Sequence, residues 1–181
     1  NDYPQGAELY TSDLDGGHVM RITNNKVYDA EVTVSPDGQW ILFARQVEGK
    51  LDLYRMRPDG TGLFQITNTP DLQEGGAQWM PDGKRIIYRA WKIQDQGQRG
   101  LPMQIFTITP DGTGVNQITS EAGTNWAPFP APDGRHFVFV KFLPPGNFEV
   151  FMMDLVSGQQ QRLTFSDAFD GFPAISPDGQ W

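Results

Sequence analysis

The 181-residue sequence contains no cysteine, which excludes disulfide staples, zinc fingers and thiol nucleophiles. Histidine is scarce: His18 and His136 are the only two, and without cysteine they do not complete a His/Cys metal set. No apolar run approaches the roughly 18 residues that a spanning helix needs, and residues 1–10 show neither the basic nor the apolar region of a secretory signal. Positive charge is thin. Against 22 Asp and Glu stand 14 Lys and Arg, for a formal net charge of −8, and the basic residues are scattered singly rather than clustered as a nucleic-acid phosphate track requires. A Gly-x-Ser-x-Gly elbow, a Ser/His/Asp grouping at triad-like positions and a phosphate-cradling glycine loop are all missing. So is any sustained helical spacing of apolar residues, which argues against helical repeats.

What the sequence has is turns. The 20 glycines and 14 prolines recur in order. One series of Pro-Asp-Gly turns falls at Pro36, Pro81, Pro132 and Pro177, in steps of 45, 51 and 45 residues. A second series is interleaved with it: Asp15-Gly16, Asp59-Gly60, Asp111-Gly112 and Ser157-Gly158 each precede an apolar-Thr pair ending at Thr23, Thr67, Thr119 or Thr164. Four copies at one period of about 40–50 residues indicate a repeat architecture. The segments between turns, such as Trp40-Ile41-Leu42-Phe43 and His136-Phe137-Val138-Phe139-Val140, are β-branched and aromatic and read as strands. In Pro-Asp-Gly the proline presets φ, the aspartate bonds nearby backbone and the glycine takes the left-handed conformation that closes a hairpin.

One unit then reads as four strands: A (29–35), B (39–45), C (51–57) and D (62–67). That is a propeller blade, and the fold class is all-β. Full blades are predicted at 29–67, 74–119 and 125–164. Residues 7–23 supply only C and D, and residues 170–181 only A and the start of B.

The pattern Asp-x-x-x-x-x-Ser-Pro-Asp-Gly-x-Trp-Ile-x-Phe from Asp29 to Phe43, then aromatic-x-Met-x-x-Asp-Gly from Tyr54, then Ile66-Thr67, resembles the WD-like repeat of TolB-like β-propellers. The likeness covers essentially the whole chain. The family's strand-A proline is present as Pro128 and Pro173 but replaced by Val32 and Ala77. The resemblance implies a six-bladed type of propeller, protein binding, and a periplasmic or extracellular address. A related propeller caps the catalytic domain of prolyl-oligopeptidase-type serine peptidases, and fold analogy alone does not choose between such hosts. Three complete blades and two partial ones are expected to be part of a longer chain, against a closed four-bladed ring or an oligomer or filament in which incomplete ends pair between copies.

The first residue of each strand A is Asp29, Glu74, Asn125 or Asp170, placed where the D–A and B–C loops emerge. Such oxygens around a channel mouth suit a basic peptide segment, or a hard cation such as calcium at Asp29, Glu74 and Asp170. Alternatively, each caps its own loop. The long B–C insertion from Ala90 to Pro102 brings Trp91 and Arg99, and Trp126 is expected to be exposed beside it; these are interface hot-spot types. The alternative reading tucks Trp91 against its own blade. With the loop from Phe142 to Phe148 they are expected to form one patch. The sequence thus favours a non-catalytic module that binds a protein or peptide, with no nucleic-acid partner.

Overall fold

The four Pro-Asp-Gly corners between strands A and B close in the same way. In the computed structural model, which describes residue 4, residues 6–98 and residues 100–181, the glycine N–H donates to the carbonyl three residues back: Gly38 to Ser35 at 2.8 Å, Gly83 to Met80 at 2.9 Å, Gly134 to Ala131 at 3.0 Å and Gly179 to Ser176 at 2.8 Å. These glycines lie at φ between 64° and 72°, a region that side chains with a Cβ seldom occupy. The aspartate carboxylate of each turn accepts the N–H two residues on, from Gln39, Lys84, Arg135 and Gln180.

The corners join short strands: β1 (Tyr10–Thr11), β2 (Met20–Arg21), β3 (Tyr28–Val34), β4 (Ile41–Val47), β5 (Lys50–Met56), β6 (Phe64–Gln65), β7 (Leu72–Trp79), β8 (Ile86–Lys92), β9 (Met103–Ile108), β10 (Asn116–Gln117), β11 (Asn125–Pro130), β12 (His136–Leu143), β13 (Asn147–Asp154) and β14 (Gln160–Arg162). They pair antiparallel into three four-stranded sheets, β3-β4-β5-β6, β7-β8-β9-β10 and β11-β12-β13-β14, with β1-β2 as a separate pair. Each sheet is one blade.

The core lies between blades. Leu42, Leu51 and Leu53 of the first full blade meet Trp79, Ile86 and Tyr88 of the second. Ile87 and Ile105 meet Phe137 and Phe139 of the third, and Leu9 packs on Ile41 and Phe43. Strands B and C are therefore covered on both faces, which is why they read as apolar runs instead of alternating.

The apolar-Thr motif has a specific task. Thr23, Thr67, Thr119 and Thr164 each accept, through Oγ1, a strand-C N–H at 2.9 Å, from Leu9, Leu53, Ile105 and Val150. The outer strand is too short to supply that acceptor from its backbone ladder.

Two features differ from the sequence expectation. Residues 170–181 form no strand: only Gln180 and Trp181 follow the last turn, too few for a ladder. Asp170 nevertheless donates its N–H to Phe148 O at 3.1 Å, the link that Asp29 makes to Ala7 O at 3.0 Å. Each inner strand also carries a bulge. The register shifts within β3, β7 and β11, and Glu31, Gly76, Ala127 and Phe172 stand at φ of 56°, 58°, 49° and 53°. Each is two residues after Asp29, Glu74, Asn125 or Asp170, so the same bend re-aims the three inner strands and recurs at Phe172 in the fourth copy.

Candidate functional site

The four residues expected at a channel mouth sit at blade junctions, each facing a polar residue of the preceding strand C. The pairs are Glu8 with Asp29, Asp52 with Glu74, Gln104 with Asn125, and Glu149 with Asp170. Asp29, whose side chain is fully buried, accepts two bonds from the Arg45 guanidinium at 2.6 and 2.7 Å and one from Asn25 Nδ2 at 2.7 Å. Glu74 accepts from Thr69 Oγ1 at 2.8 Å. Asn125 Nδ2 donates to Gln104 Oε1 at 3.2 Å. Asp170 has one buried carboxylate oxygen, Oδ2, without a partner. The expectation of a cation shared by Asp29, Glu74 and Asp170 is not met: among the described residues no three Asp, Glu or His side chains come together to hold a metal. Each is engaged within its own junction, which keeps them apart.

Electrostatics differ between junctions. Burial, reinforced by neighbouring Asp52, pushes the Glu74 carboxyl up to about 7, against hydrogen bonds from Thr67 and Thr69 that pull it down. At Glu8 burial also raises the pKa, but bonds from Thr23, the Asn25 N–H and Arg21 outweigh it and the net shift is downward.

Next to Glu74, Glu31 of inner strand β3 ties into the second full blade, to β7 through a backbone N–H and to β8 through an ion pair. Glu31 Oε2 accepts the Gly76 N–H at 2.7 Å and Oε1 accepts from Arg89 Nη2 at 2.7 Å. A Cβ on Gly75 would lie 2.5 Å from Glu31 Oε2, and one on Gly76 would lie 2.0 Å from Arg89 Nη1. The Gly-Gly pair is the space in which the ion pair sits.

The loop face is apolar, and Trp126 is its centre. The ring packs edge-on against Phe172 at 4.9 Å and lies 6.3 Å from both Phe148 and Phe169; Phe142 stacks behind Phe148 at 5.1 Å. Trp126 is half-buried, not exposed as expected, because these phenylalanines close over it. It borders two cavities. One, of about 500 Å³, runs along the inner strands between Glu31, Arg89, Phe129 and Phe172. The other, of about 330 Å³, lies under the B–C insertion between Leu101, Met103 and Phe148. Its indole Nε1 is buried without a partner.

The expected patch was to join Trp91, Arg99 and Trp126 with the loop from Phe142 to Phe148. The insertion does reach the next blade: Thr124 Oγ1 donates to Leu101 O at 2.6 Å, and Gly100 abuts the Phe142 ring. Trp91 does not join it. It is 4% exposed, in the core with Leu101 and Met103, because β8 runs on through the insertion's first residues. Arg99 lies outside the described residues. The histidines pair locally, His18 with Asp13 and His136 with Asp133. Burial raises the Asp133 pKa, but bonds from the His136 side chain and from the N–H groups of His136 and Arg135 bring it down to about 2. Sequence reasoning missed the Glu31–Arg89 tie; only the unusual Gly75-Gly76 within a strand hinted at it.

No family model matches the chain. A TolB homolog of Chlorobium luteolum is 28% identical over 154 residues, covering 84% of this chain and 32% of that protein. The Tol-Pal system protein TolB of Desulfosudis oleivorans is 31% identical over 119 residues, covering 64% of this chain and 24% of that protein. Among solved structures, TolB from Acinetobacter baumannii superposes with a TM-score of 0.77 at 26% identity, covering 96% of this chain and 41% of that one. The chain spans a half or less of the length of the curated relatives it matches. An oligogalacturonate lyase at 17% identity and a puromycin-hydrolyzing peptidase at 13% share the fold alone. Sheets, repeat and neighbours define the class: an all-β propeller of four-stranded antiparallel blades. Within that class the repeat is TolB-like, and among the described residues no helix is long and apolar enough to cross a membrane.

Proposed function

We propose that this chain is a non-catalytic propeller module that binds a protein or peptide, working in the periplasm or outside the cell, and that Trp126 is the anchor of its binding face. The observation that carries this reading is the meeting of two cavities at one half-buried tryptophan with an unpartnered indole N–H, on the face formed by the B–C loops. Aromatic anchors bordered by pockets are where binding energy concentrates. An apolar or aromatic side chain of the partner fills the pocket against the Trp126 ring. The Tol-Pal name of one relative supports a protein partner.

Selection of phage-displayed peptides on the immobilised protein tests this. Selected peptides should carry a large apolar residue, and Trp126→Ala should weaken their binding at least roughly tenfold, while Leu14→Ala, on an exposed turn away from the face, leaves it unchanged. Equal binding to a folded Trp126→Ala variant would sink the assignment.

A further inference from the structure

The four junctions solve one electrostatic problem in different ways. Each brings a polar side chain of one strand C against the first residue of the next blade, away from water. Glu8 and Asp29 are neutralised by Arg21 and Arg45 at 2.7 and 2.6 Å. Gln104 and Asn125 carry no charge. Glu149 is held by Arg162 at 2.7 Å, with Asn147 and Thr164 also donating to it. Among the described residues, Asp52 and Glu74 are the junction pair that joins two carboxyls with no arginine bonded to either. Both are almost fully buried, at 3% and 1% exposed. The polar and charged neighbours of the pair are Gln65, at 3.2 Å from Asp52 Oδ2, and Lys50, whose Nζ is 3.7 Å from the same oxygen, with Thr67 and Thr69 at Glu74 and the tyrosines Tyr54 and Tyr88 from the flanking strands. That leaves Asp52 Oδ1 and Glu74 Oε2 buried with no partner.

Lys50 offsets one negative charge, but the two carboxylates do not both stay ionised: a second, uncompensated buried charge is far more costly than a neutral acid. One proton satisfies both orphaned oxygens, as the O–H of one group donates to the other. We propose that Asp52 and Glu74 share a proton and that the junction between the first two full blades is proton-gated, closed while the proton is held and loosened when it leaves. The upward shift of Glu74 places that release near neutrality. Its strand, β7, also carries Gly75 and Gly76, so the device acts on the strand that borders the Trp126 cavity. The inference stands independently of the binding role.

The sign follows from linkage. A carboxyl whose pKa is higher in the folded than in the unfolded chain stabilises fully below its unfolded value and loses that contribution as pH rises through the folded one. Urea unfolding of the wild-type chain should therefore show an unfolding constant that rises about tenfold per pH unit between about pH 5 and about pH 7. Infrared spectra should show a protonated-carboxyl C=O band that fades over the same range. Glu74→Gln preserves shape and should remove both the slope and the band; Asp52→Asn serves the same purpose should the first variant not fold. A flat wild-type profile, absence of the band at about pH 5, or a slope unchanged in the folded amide variants would overturn the proposal. So would calcium-dependent stabilisation at about pH 8 that vanishes in Glu74→Gln, since the pair would then be a cation site.

Discussion

Thr119 shows how much a single side chain decides here. Its hydroxyl accepts the buried Ile105 N–H at 2.9 Å and donates to Gln104 Oε1 at 2.7 Å, so it fastens strand D to strand C and orients the junction amide together. Thr119→Val keeps the shape and removes both bonds. The expected loss is about 1–3 kcal/mol, the cost of leaving buried groups unsatisfied, read as a lower urea midpoint with unchanged slope. A loss within error would mean that water replaces the hydroxyl. At this scale the sequence was legible as a position: four threonines stood out by their spacing, but a repeated apolar-Thr pair does not say which N–H it meets. Gly75 and Gly76 are unusual residues within a strand, and their reason, Glu31 and Arg89 arriving from 45 and 13 positions away, was not legible in the sequence.

Among elements, the ion pairs that tie strands together are not equivalent. Asp29 is fully buried and held by Arg45, whereas Arg135, on the pair with Asp154, is 56% exposed. Removing Arg45 abandons a buried carboxylate and should destabilise the chain by about 3–5 kcal/mol. Arg135→Ala breaks a surface pair and should cost about 0–1 kcal/mol. Denaturant unfolding of Arg45→Met and Arg135→Ala side by side checks this, and similar losses would show that Asp29 is reached by water. Strand order was readable from turn chemistry because each Pro-Asp-Gly hairpin acts locally. The inner-strand bulge was hidden, since its left-handed position is filled by Glu31, Gly76, Ala127 and Phe172, which share no residue type.

For the whole molecule, two sets of carboxyls pull stability in opposite directions with pH. Hydrogen bonds from Ser35, from Thr109 and Thr113, and from Ser176 lower the pKa values of the turn aspartates Asp37, Asp111 and Asp178. Groups with depressed values stabilise above their unfolded pKa and lose that contribution as pH falls through the folded one. Glu74 acts in the other direction toward neutrality. Stability should therefore peak on the acid side, at about pH 5, and fall on both flanks. Thermal melts at constant ionic strength across that range check this; a maximum at or above about pH 7.5 would show that another group dominates the alkaline flank. The net charge of −8 adds self-repulsion at neutral pH, which added salt screens.

The number and order of blades, the corners and the class of fold came from the sequence alone, because turn chemistry and strand propensity are local and the chain states them four times. Tertiary structure decided the rest. It buried Trp91 and left Trp126 half-open beside two cavities, it kept Asp29, Glu74 and Asp170 in separate junctions, and it gave arginines to some of the buried acids while leaving Asp52 and Glu74 to face each other without one. Those outcomes depend on which residues from adjoining blades arrive within a few ångströms, as Glu31 and Arg89 do across 58 positions, and a repeat read along the chain carries no record of that.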